Sequence, residues 1–175
     1  MTSEEIYNIL QTKFGDKILG FESELPVESY IVADPMAIKD ICLYLRNDEN
    51  LKFDTLMCLS GVDDANGEKS KDEEDMDVIT GGTLSVYYNL DSIELGHKIN
   101  LKVSTPREDP KVESVESVWK CADWHEREVF DMFGTVFLNH PDLRRILMPE
   151  DWEAGYPLRK DYKNPEFYQG MKIPY

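Results

Sequence analysis

The segment Trp119–Phe133, WKCADWHEREVFDMF, holds the densest set of chemically capable side chains in the sequence. His125, Glu126, Glu128 and Asp131 could supply acid–base or metal chemistry, and Arg127 could pair with Asp131 four residues on. On a helix, Trp119, Glu126, Phe130 and Phe133 share one side, while Cys121, Trp124, Glu128 and Met132 share the other. A helix that is apolar on two sides is covered on two sides. Each side here carries a carboxylate, and burying one as an unpaired ion costs several kcal/mol. Three arrangements meet that cost. The acids pair with Arg127 or with arginines downstream; they act together as an acid–base pair; or one face packs on the chain's own sheet and the other on a partner protein.

Other motifs are sparse. His125 does not belong to an HExxH zinc motif, because Val129 stands where the second histidine is needed. His97 opens a strand with no acidic cluster at ligand spacing. His140-Pro141 reads as a turn with a hydrogen-bonded imidazole. Cys42, Cys58 and Cys121 are widely spaced and form no CxxC pair, so an all-Cys cluster or zinc site cannot be built from this chain. They read as buried thiols in a reducing compartment. No GxGxxG and no phosphate loop is present.

The chain has 175 residues, 41% hydrophobic, with 19 Lys plus Arg against 35 Asp plus Glu, a net charge of −16. That length suits one domain with a real core. The charge excludes a nucleic-acid binder and direct adsorption to an anionic membrane. MTSEEIYNIL has acids where an export signal carries basic residues, and no apolar run reaches the length of a membrane span.

The elements that must position the 119–133 segment can be read from periodicity. Thr2 and Glu5 have capping-box spacing ahead of Ile6, Ile9 and Leu10, which predicts a first helix ending at Gly15. Ile18–Phe21 and Ser29–Ala33 read as strands joined through Leu25-Pro26-Val27. Asp34 as N-cap and Pro35 at the first position predict a helix with Ile38, Ile41, Cys42 and Leu45 on its buried face. Phe53–Val62, Thr83–Leu90 and His97–Ser104 read as strands of an antiparallel meander. Between them, residues 63–77 hold eight acids against two lysines, a net of −6, and read as a solvated loop. Thr105–Val112 is a polar connection. A helical block from about Val115 to Phe133 then ends at Gly134. The expected class is α+β: a small mixed or antiparallel sheet packed by helices. Residues 1–134 form the domain, and 135–175 form an extended Pro-rich arm. That arm holds five of the nine prolines and has no net charge from His140 onward, so residues 1–139 carry the whole excess. Its arginines, prolines and aromatics are interface types.

Taken together, Glu126-Arg127-Glu128, Asp131-Met132-Phe133-Gly134, Phe137, His140-Pro141-x-Leu143-Arg144-Arg145-Ile146-Leu147, Pro149-x-Asp151-Trp152 and Pro157-Leu158-Arg159-Lys160-Asp161-Tyr162 closely resemble one family. It is that of the 30 kDa subunit, also called the C subunit, of proton-translocating NADH–quinone oxidoreductase (respiratory complex I). The resemblance is continuous over about 126–162. It implies a peripheral, cofactor-free scaffold on the cytoplasmic face of the inner membrane. FMN, iron–sulfur clusters and quinone would lie in partner subunits. The partners would be the 49 kDa-type large D subunit, which helps form the quinone site, and the neighbouring iron–sulfur subunits. The resemblance further implies a charge network of Glu126, Arg127, Glu128 and Asp131, carboxylate pairing by Arg144 and Arg145, and anchoring of the arm by Pro157, Leu158, Arg159, Lys160 and Asp161. Two other readings stay open: the equivalent subunit of a related membrane-bound hydrogenase or ferredoxin-type oxidoreductase, and a free-standing metalloenzyme using His125, Glu126, Glu128, Asp131 and His140.

Overall fold

The computed structural model describes residues 1–24, 28–71 and 77–173. Helix α1 (Ser3–Phe14) starts with the full capping box: the Glu5 amide donates to the Thr2 hydroxyl, and the Thr2 amide donates to the Glu5 carboxylate. It stops at Gly15. Strands β1 (Ile18–Glu22) and β2 (Tyr30–Ala33) pair antiparallel, and the predicted connector 25–27 between them lies outside the described residues. Helix α2 (Ile38–Asn47) begins later than the Asp34-Pro35 pair implies. Asp34 instead closes a turn, accepting from the Met36 amide at 2.8 Å.

The central sheet adds β3 (Thr55–Asp63), β6 (Thr83–Ser92) and β7 (His97–Pro106) in the order β1-β2-β7-β6-β3. Between β3 and β6 comes a hairpin of β4 (Glu68–Lys71) and β5 (Asp77–Thr80). The expected solvated loop at 63–77 is thus partly strand-paired, and its first residue, Asp63, is buried. The β3–β6–β7 part is the expected antiparallel meander, but β2 runs parallel to β7, so the sheet is mixed. Beyond β7 the chain pairs again, as β8 (Lys111–Glu113) runs parallel to β9 (Val136–Leu138), where a polar connection was expected.

Alternation decides what is covered. Leu84, Val86, Tyr88 and Leu90 of β6 and Ile99, Leu101 and Val103 of β7 point inward. They join one core with Ile6 and Leu10 of α1 and Ile38, Ile41, Cys42 and Leu45 of α2. Their neighbours Tyr87, Asn89, Asn100, Lys102 and Ser104 face the other way and stay half-exposed. Of the cysteines, Cys42 alone is fully buried. Cys58 is half-buried and Cys121 exposed, which corrects the expectation of three buried thiols.

Helix α3 is Ala122–Phe133, shorter than the block expected from Val115. Residues before it form turns in which Val118, Trp119 and Ala122 donate backwards. Trp119 still packs in the core, its indole donating to the Phe53 carbonyl at 3.2 Å. Phe133 and Val129 lie against Gly61 of β3 so closely that an added Cβ there would sit 2.6 Å from the Phe133 ring. Hence α3 is seated at the β3 edge. Two further two-residue strands, β10 (Phe167–Tyr168) and β11 (Met171–Lys172), form a hairpin near the end of the chain.

Candidate functional site

The residues singled out above gather where α3 meets the segment after β9. Asp131, wholly buried, faces that segment. Its Oδ1 accepts from Arg145 at 2.6 Å. Its Oδ2 accepts from three successive amides, Ile146, Leu147 and Met148, at 3.0, 2.7 and 2.8 Å. Burial pushes the Asp131 pKa up, but those amides and Arg145 outweigh it and hold the carboxyl below its ordinary value. Arg127, the neighbour four residues back, does not take this role. Its guanidinium lies 5.1 Å over the Trp124 ring, and its Nε donates to the Arg144 carbonyl at 3.3 Å.

Glu126 points the other way, into the domain. Ser114 and the Val115 amide donate to its two oxygens at 2.6 and 2.7 Å. Burial dominates, raising this carboxyl to about 7, with Glu116 and Asp123 adding repulsion and the two hydrogen bonds opposing. The enclosed His140 side chain lies beside it. Its Nδ1 accepts from the Asp142 amide at 3.1 Å, which makes Nε2 the protonated nitrogen of the neutral ring. Nε2 faces the Asp123 carbonyl at 3.4 Å and stands 3.8 Å from Glu126. Glu128 is exposed and lines a groove with His125, Cys58 and Leu158.

A second tie lies further along. The Leu158 amide donates to the Met132 carbonyl at 3.1 Å, and Arg159 Nε donates to the Phe133 carbonyl at 2.7 Å. The Lys160 amide donates to Asp63 Oδ2 at 2.8 Å. Arg107, buried at the end of β7, bridges Asp63 at 2.6 Å and Asp161 at 2.5 Å. Half-buried Pro157 leads into this turn, and the Tyr156 ring before it is flanked by Arg145 and Arg159 at 5.7 and 4.6 Å. Asp151 accepts from Tyr168 at 2.6 Å and Gln169 at 2.8 Å, and Trp152 packs on the Tyr168 ring. Pro141 and Pro149 are exposed at turns, and Arg144 pairs with Asp142 at the surface.

Four participants escaped sequence reasoning: Asp63, Arg107, Ser114 and Tyr156. Asp63 had a signal, since it falls on the inward register of an apolar strand where only a partnered carboxylate is tolerated. The metalloenzyme set is dispersed, with Asp131, Glu126 and Glu128 pointing to three different surroundings. Among the described residues no three His, Cys, Asp or Glu side chains gather as metal ligands. What the arrangement does chemically is to lock one helix to a distant segment through charge-assisted hydrogen bonds.

Comparison with known proteins gives this junction a family. The model of the respiratory-chain NADH dehydrogenase 30 kDa subunit matches residues 31–168. The NADH-quinone oxidoreductase C subunit of Chlorobium phaeobacteroides is 45% identical over 170 residues, covering 97% of this chain and 93% of that one. Its counterpart in Chloroherpeton thalassium is 43% identical over 98% of this chain, which spans 65% of that relative's length. A Bacteroides fragilis protein named as a C/D subunit of NADH-quinone oxidoreductase is 45% identical over 76% of this chain, the match covering 24% of it. Two solved structures share the fold. The trypsin-resistant fragment of Nqo5 has a TM-score of 0.57 at 24% identity, over 79% of this chain and 98% of that one. A chain of the archaeal membrane-bound sulfane sulfur reductase has 0.64 at 21%, over 91% and 85%. The chain belongs to the respiratory-chain NADH dehydrogenase 30 kDa subunit family.

Proposed function

We propose that this chain is a peripheral scaffold subunit of an NADH–quinone oxidoreductase and helps hold the large D-type subunit that forms the quinone site. The complex would pass electrons from NADH to quinone and couple this to proton translocation. FMN, the iron–sulfur clusters and quinone would belong to partner subunits, among them the iron–sulfur subunits beside the D-type one. The observation that carries the reading is the relative named C/D, in which a region like this chain accounts for 24% of one polypeptide. Such a joined chain keeps its two parts at high mutual concentration, as expected of parts that work in contact.

The geometry supports a scaffold rather than a reaction centre. The Asp131 and Arg107 networks make their hydrogen bonds inside the chain and hold it in one shape. No described helix is long and apolar enough to cross a membrane, so attachment to the cytoplasmic face of the inner membrane would run through the complex. The hydrogenase-type alternative draws less support, because the relatives of higher identity carry NADH–quinone oxidoreductase names. The test is a tagged pull-down of the full chain from detergent-solubilised membranes of its own cell. Recovery of D-type and NADH-oxidising subunits is the expected result. Recovery of hydrogenase subunits, or of the chain alone, rejects the assignment.

A further inference from the structure

Of the charged groups on α3 that are withdrawn from water, Glu126 and Asp131 are satisfied within the chain, whereas Arg127 is not. It is 7% exposed, yet among the described residues it has no carboxylate partner. Among the described residues its guanidinium donates one hydrogen bond, from Nε to the Arg144 carbonyl. Withdrawing a guanidinium from water without a counter-ion is costly. Beside it, Trp124 is 60% exposed, though tryptophan is usually well covered. The two are already stacked, so their relative geometry is set in advance. Tryptophan and arginine are also the residue types that dominate interface energetics.

The sign of the charge selects the occupant. The chain carries −16 overall; Arg144 meets Arg127 through its main-chain carbonyl and turns its own guanidinium to Asp142, which leaves Arg127 as the cation here without an anionic partner among the described residues. A guanidinium left without a counter-ion fits a carboxylate presented by a protein segment. An anionic lipid surface would be repelled by the rest of the molecule.

We propose that Trp124 and Arg127 form the central contact for a carboxylate-bearing segment of the D-type partner. An Asp or Glu of that segment pairs with the two Nη nitrogens of Arg127, and an apolar neighbour covers the Trp124 ring. This rests on the scaffold reading above and adds to it where the partner docks and what chemistry it presents.

The experiment measures affinity between the full chain and the D-type subunit of the same cell, for wild type, Trp124→Ala, Arg127→Gln and the remote control Lys98→Ala. The expected result is weakening of about 30-fold or more for each of the first two, and none for Lys98→Ala. The Trp124/Arg127 double variant should be much milder than the product of the singles, because the pair acts as a unit. Thermal unfolding checks that each variant folds. Should Arg127→Gln fail to fold, Trp124→Ala decides, since an exposed ring is dispensable to the core. Binding by Trp124→Ala within threefold of wild type overturns the proposal. Self-association that Trp124→Ala abolishes also overturns it, by making a second copy the occupant. If wild type fails to bind the D-type subunit at all, the scaffold reading itself falls.

Discussion

One carboxylate, Asp131, holds four donors, with the Arg145 guanidinium on one oxygen and three consecutive amides on the other. Asp131 is inaccessible and Arg145 is 19% exposed at the side chain, so the pair is shielded from solvent screening. Asp131→Asn keeps the shape but removes the charge and turns an NH2 toward groups that also donate. The expected cost is about 2–4 kcal/mol of unfolding free energy. Hydrogen exchange should show the Ile146, Leu147 and Met148 amides losing protection before the central sheet does. Unchanged protection at those three amides would mean that the segment is held in place by other contacts.

Arg107 makes the corresponding tie between β7, β3 and the segment around Asp161. Arg107→Ala leaves Asp63 buried without its cation, at a cost of about 3–5 kcal/mol. Adding Asp63→Asn should recover part of that loss, because the stranded charge is then gone. Urea unfolding of wild type, Arg107→Ala, Asp63→Asn and the double variant gives the coupling directly. Equal stability of the single and double variants would show that Asp63 is not the group left stranded.

The buried carboxylates give opposite responses to pH. Asp131 and Asp63 have folded pKa values below their unfolded ones. Their stabilisation is therefore present above the unfolded value of about 4 and is lost as pH falls through the folded values. Glu126 is raised to about 7 from 4.5, so its folded form holds the proton more tightly. Its contribution is complete below pH 4.5 and is lost as pH rises through about 7. Glu126→Gln mimics the protonated acid and should remove that loss. Relative to the variant, wild type should weaken between about pH 5 and about pH 8.5 by up to about 3 kcal/mol. Parallel pH profiles for the two would sink the idea. Both proteins carry the same background repulsion, so the difference isolates one group.

How far the sequence reached depends on where each element's signal lies. Helix α1 was legible because its cap is local: Thr2 and Glu5 are three apart and bond to each other. The inward rows of β6 and β7 were legible because alternation is a property of the strand itself. The start of α3 was not, since residues 115–121 keep helical spacing of apolar groups while making only turns. There the Val115 amide is diverted to Glu126, and the Val118 carbonyl accepts from Arg46. The junction was half legible. Asp131 and Arg145 both stand out as charges in an apolar context, but the sequence suggested Arg127 as the nearer partner for Asp131. The choice between Arg127 and Arg145 is made by the path of the chain after β9, which no local pattern records. Asp63 and Arg107 are 44 residues apart and meet only because β3 and β7 flank β6.

Gly134 shows how tightly the end of α3 is fitted to the segment it holds. It caps the helix at φ 79°, and a Cβ added there would lie 2.5 Å from the Tyr156 ring. Tyr156 cannot easily retreat, because Arg145 and Arg159 flank it and both are tied to α3. Gly96, in the β6–β7 turn, has a similar φ of 66° but nothing within 4 Å of the same added atom. Both alanine variants carry the left-handed backbone penalty of about 1 kcal/mol. Gly134→Ala should add about 1–3 kcal/mol for the displaced ring, so the gap between the two variants measures the packing alone. Tyr156→Leu in the Gly134→Ala background should narrow that gap, because the smaller side chain leaves room for the methyl group. If Gly96→Ala and Gly134→Ala lower stability equally, Tyr156 does not press on the helix end, and the segment is held by its hydrogen bonds rather than by fit.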